Sequence, residues 1–102
     1  MASIEVTPKA EANVSLNAHA TIGSSAASVG GVEIYRDSCT GTLIASGTWQ
    51  TGGIDEAFTF SITGVDVVDA TTTYVLCVDR EDTLPDAFTS TRALTATWAP
   101  TS

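Results

Sequence analysis

Cations are what this sequence has least of. Lys9, Arg36, Arg80 and Arg92 stand against twelve carboxylates, and the formal net charge is −8. A surface of that sign repels a phosphate backbone, which argues against direct nucleic-acid binding. An anionic membrane leaflet repels it as well. A basic protein partner or a cation suits it better, and high solubility is the plain consequence. Long hydrophobic runs are missing too. No segment approaches the ~18 consecutive apolar residues of a membrane-spanning helix. The N-terminal stretch, with Glu5, Lys9 and Glu11, holds no apolar core of a signal peptide. Either the chain works in the cytoplasm where it is made, or a signal was trimmed and Met1 added.

Catalytic constellations are equally scarce. His19 is the one histidine, and no G-x-S-x-G motif accompanies it. No glycine loop is of the phosphate-cradling kind; "VGG" and "TGG" read as turns. Pairs of carboxylates exist, but nothing places two of them in a cleft. No nucleophile, base and oxyanion donor come together, so the expectation is a protein that is not an enzyme and needs no cofactor.

What remains is a globular β composition. Hydrophobic residues make up 43% and aromatics 7%, and Thr, Ser, Val, Ala and Gly dominate, which favours pleated surfaces. A chain of 102 residues fits one domain. Helical periodicity is nowhere sustained, while alternation is everywhere. In "ANVSLNAHATI", Ala12, Val14, Leu16, Ala18, Ala20 and Ile22 share one face; Asn13, Ser15, Asn17, His19 and Thr21 share the other. "GGVEIYR", "TLIASGTW", "EAFTFSIT", "TTYVLCVD" and "RALTATW" continue the pattern, and "SIEVT" at 3–7 adds a seventh strand. Loops are expected at 23–31, 51–53, 63–70 and 80–87. Pro8, Pro85 and Pro100 interrupt no central strand. About seven short strands predict an all-β, antiparallel sandwich, immunoglobulin-like or jelly roll. Residues 1–11 read as an N-terminal arm or edge strand, and residues 12–102 as a single sandwich domain.

Cys39 and Cys77 are the only cysteines. Cys39 falls at a hairpin tip, and Cys77 on the polar phase of its strand, where a buried structural thiol is out of place. A disulfide between them is one reading, with a loop of about 40 residues and about 4 kcal/mol of stabilisation on the chain-entropy argument. Two independent free thiols are the other. His19 has no metal-ligand spacing to either cysteine, so a metal site is not expected. The acidic loop "DREDTLPD" (Asp79, Glu81, Asp82, Asp86), with Asp66 and Asp69, has oxygen ligands for a hard cation. It does not match the EF-hand pattern, and a solvated acidic turn explains it equally simply. Trp49 and Trp98 form a sugar-stacking or partner-binding platform if exposed, and core packing accounts for them if not. Ile4 and Val6 are the apolar anchors of the arm, with which it would add a strand to a neighbour. "NVS" at 13–15 matches the glycosylation triplet, which is frequent by chance.

The order "VEIYRD…GTLIASGTW", "FTFSITGVDV", "TTYVLCV" and "STRALTATW", over residues 32–98, resembles small tailed-phage virion proteins: head decoration proteins, head fibres and related jelly-roll tips. Two features depart from that pattern. "SCT" lengthens the turn before Gly41, and Cys77 replaces a residue that is usually polar. Both departures involve the cysteines, which favours their having arisen as a pair. The resemblance implies a structural virion protein at the capsid surface, assembled in the host cytoplasm. It implies a homotrimer bound to the major capsid protein or another virion protein. The alternative from another class is an extracellular immunoglobulin-like adhesion or carbohydrate-binding module.

Overall fold

The computed structural model describes residues 2–24, 28–51, 56–78 and 88–101. They form seven strands: β1 (Ala2–Val6), β2 (Ala12–Ser24), β3 (Ser28–Arg36), β4 (Thr42–Thr51), β5 (Glu56–Val68), β6 (Thr72–Val78) and β7 (Phe88–Pro100). Two antiparallel sheets result, ordered β1-β6-β3-β4 and β5-β2-β7. This is an all-β, seven-strand sandwich with an immunoglobulin-like or jelly-roll arrangement. Only β3 and β4 are consecutive strands paired within one sheet. Every other connection crosses from one sheet to the other, so the fold is held by pairings distant in sequence.

Alternation along each strand builds the core between the sheets. From β2 come Val14, Leu16, Ala18 and Ala20. They meet Val32 and Ile34 of β3, Tyr74 and Leu76 of β6, and Trp49 of β4, all buried. Trp49 is 2% exposed, and its indole N–H donates to the Gly31 carbonyl at 3.1 Å. A buried indole keeps its one donor satisfied.

Of the two readings of residues 1–11, arm or edge strand, β1 takes the second: it pairs with β6 along its whole length at the edge of its sheet, Ile4 packs against the core and Val6 is fully buried. Two sequence expectations change. The turn expected at 63–70 is mostly strand, because β5 runs on to Val68 with Val65 and Val67 exposed and Asp66 and Val68 facing inward. The loop expected at 23–31 is shorter, with β2 reaching Ser24 and β3 starting at Ser28.

The β3–β4 register slips at Ile34/Tyr35, so that Ile44 is the extra residue of a bulge. Ile44 and Ala45 then pack toward β5. The approach is close at Gly64, where a Cβ would stand 3.1 Å from the Ala45 Cβ and 3.2 Å from the Ile44 Cγ2.

Burial of Trp49 generates a stability prediction. Trp49→Ala should cost about 3–5 kcal/mol, read as a lowered midpoint in urea unfolding. Deletion of residues 2–9 should likewise lower the midpoint, because it removes Val6 from the core.

Candidate functional site

The tip of the β3–β4 hairpin is a short, tight turn. Asp37 adopts a left-handed backbone (φ 75°), a conformation that Asp tolerates better than most residues. Its N–H donates to the Thr73 carbonyl at 2.8 Å; Ser38 N–H reaches the Arg36 carbonyl at 3.0 Å and Gly41 N–H the Ser38 carbonyl at 2.9 Å. A Cβ on Gly41 would run into the Arg36 carbonyl oxygen, so glycine is required there. The turn brings Cys39 to Cys77 of β6, and the two form a disulfide with Cα atoms 6.1 Å apart, within the usual range. Cys77 lies on the outward phase of β6 but is 8% exposed, and Val75 on the same face is 4% exposed. Both are shielded on the outer face of a central strand, which the polar phase of Cys77 did not announce.

Asp66 sits on the inner phase of β5, opposite Val14 of β2. The guanidinium of Arg36 donates to both of its oxygens at 2.7 Å, with a further bond from Nε at 3.1 Å, and the Tyr74 hydroxyl donates at 2.8 Å. Burial pushes the Asp66 carboxyl up, but the bonds from Arg36 and Tyr74 outweigh it and hold the group below its ordinary value. Burial, then the bond to Asp66, drives the Tyr74 phenol well above its own. Asp66 is therefore a link between the sheets and not a cation ligand. Asp69 is an exposed turn residue; Asp79, Glu81, Asp82 and Asp86 lie outside the described residues. Among the described residues no group of three or more His, Cys, Asp or Glu could hold a metal ion, and no helix is long and apolar enough to cross a membrane.

The two tryptophans part company. Trp49 belongs to the core, as does Val6, and both are buried. Trp98 on β7 is 43% exposed. It borders an open groove of about 370 Å³ with Thr7, Pro8, Lys9 and Ala10 of the β1–β2 connection, Ala12 and Pro100. The groove is mostly apolar, with one ammonium and one hydroxyl at its side. Ile4 lies on the inner phase of β1, half-buried against the core.

The outer faces of the two sheets differ in charge. On β1-β6-β3-β4 the outward phase carries Glu5 and Glu33, and Asp37 stands at its end. On β5-β2-β7 the outward phase carries Asn13, Ser15, Asn17, His19 and Thr21 from β2. From β5 come Thr59, Ser61, Thr63, Val65 and Val67, and from β7 Ala93, Thr95, Thr97 and Ala99. None is acidic, and none is Lys or Arg. The Thr21 and Thr59 hydroxyls bond each other at 2.9 Å across the strands. Alternation in the sequence did show which residues share a strand face. It did not show which strands would lie side by side, and so the neutral face as a whole was missed.

Two outcomes follow for stability. Removing the disulfide with Cys39→Ser and Cys77→Ser should lower the unfolding free energy by up to about 4 kcal/mol, because it closes a loop of sequence separation 38. Urea titrations with and without reductant check it. For Asp66, whose folded-state value is depressed, the stabilisation is present above the unfolded value of about 3.9 and is lost as pH falls through the folded one. Asp66→Asn should cost about 1–3 kcal/mol near neutrality and flatten the loss of stability in acid relative to the parent. The chain matches no protein-family model, no curated protein and no solved structure.

Proposed function

We propose that this chain is a structural virion protein that decorates or cements a phage capsid, or forms a head-fibre element, by binding the major capsid protein surface as a homo-oligomer. The coarser part, a β-sandwich domain suited to a structural or binding role, is given by the fold. The observation that carries the rest is Trp98. An indole left 43% exposed in a groove, next to two prolines and a lysine, is the kind of anchor that fills a partner's pocket. The strand cadence over residues 32–98, similar to that of small virion proteins, supplies the class of partner. The disulfide suits a protein that assembles in a cell but must persist outside it, where stability is set by resistance to unfolding.

The same groove favours one other reading. Trp98 has a face on which a sugar ring can stack, with the Thr7 hydroxyl and Lys9 ammonium beside it. An extracellular carbohydrate-binding module would use it in that way.

Trp98→Ala separates these readings, and it should leave the melting midpoint nearly unchanged. On the virion reading, occupancy on capsids should fall at least tenfold while binding to a glycan array is absent in parent and variant alike. Unchanged occupancy would remove the groove from the proposal. Array binding that is lost in the variant would replace it with the carbohydrate reading.

A further inference from the structure

The neutral outer face of β5-β2-β7 belongs to a chain of net charge −8. Two such chains repel each other, and most approaches bring carboxylates together. A foreign partner of this chain has every reason to use those carboxylates, because opposite charge on the other side rewards them. A contact between copies does not. Around a symmetry axis each residue near the axis faces its own equivalent, so a carboxylate there meets a carboxylate. A self-association surface on an acidic chain must therefore be uncharged near its centre, and this face is.

We infer that the outer face of β5-β2-β7 is the surface through which copies of this chain associate, about an axis near Asn17 and His19 of the central strand. Hydroxyls, amides and small side chains meet their equivalents there, as donor and acceptor in turn. The exposed Val65 (78%) and Val67 (51%) extend the face on its β5 side and give it apolar surface to bury. On the outward phase the neutral stretches, residues 13–21, 59–67 and 93–99, make a strip of about 30 by about 14 Å, or about 400 Å² per copy, and two such faces make a contact of the weak, concentration-dependent class.

This inference deepens the reading of the chain as an assembling structural protein, and it is tested without any capsid. Light scattering on a size-exclusion column should give a whole-number multiple of the 10.5 kDa chain. Asn17→Glu, which sets like charges against each other, should return the mass to that of one chain. Asn17→Lys should do the same alone, and mixing the two variants should restore the multiple. Glu33→Lys, on the opposite sheet, should leave the mass of the assembly unchanged. Circular dichroism of each variant verifies that the strands are intact; should Asn17→Glu disturb them, Thr63→Glu on the neighbouring strand takes its place. A monomeric parent at every concentration reached would overturn the inference. So would an oligomer whose mass neither substitution on this face alters. Loss of capsid occupancy in Trp98→Ala with the oligomer retained would speak only to the capsid-binding groove.

Discussion

The carboxylate of Asp66 is the point at which the two sheets are held in a defined relation. β5 is an edge strand, tied by backbone bonds to β2 alone. Its relation to the other sheet rests on side chains. Asp66 receives a forked pair of bonds from Arg36 of β3 and one from the hydroxyl of Tyr74 on β6, so a single group engages two strands of the facing sheet. Such forked, charge-assisted bonds are directional as well as strong. Hydrophobic packing along the rest of the interface is less directional than this cluster. It is reachable because Gly64, one turn of the pleat earlier, lets β5 approach Ile44 and Ala45 of the bulged strand. Remove the close approach and the carboxylate stands too far away.

From that register follows the difference between the two outer faces. The sheet β1-β6-β3-β4 is stapled across its outer surface by Cys39–Cys77 and bears carboxylates there. The sheet β5-β2-β7 has no staple but long, fully paired strands and a neutral surface. The disulfide restrains the unfolded chain and secures the hairpin tip to the central strand. The neutral face is left free of the net charge that covers the rest of the molecule. The disulfide and the neutral face thus lie on opposite sides of the sandwich, and the Trp98 groove lies between the β1–β2 connection and the end of β7.

Much of the fold was legible because side-chain alternation is a local property. Val14, Leu16, Ala18 and Ala20 announce an inward face with no knowledge of their neighbours, and all seven strands carry such a signal. Boundaries were less legible. "TGVDVV" has the glycine and aspartate of a turn, yet its glycine serves a close approach between sheets and its aspartate a salt bridge. The tryptophans show the same limit. Both occupy inward phases near strand ends, and only the folded neighbourhood leaves Trp49 covered and Trp98 open.

The sequence by itself determined that this chain is an all-β sandwich of alternating strands, acidic, with two cysteines available for pairing. Composition and period suffice for that, since both act residue by residue along the strand. Tertiary structure decided everything that depends on which strands are neighbours. It set Cys77 beneath the hairpin tip, turned Asp66 from a loop acid into a link between sheets and buried Val6 and Trp49. It also gathered the polar phases of β2, β5 and β7 into one neutral face. Those three strands are separated by most of the chain, and no local pattern records that they will meet.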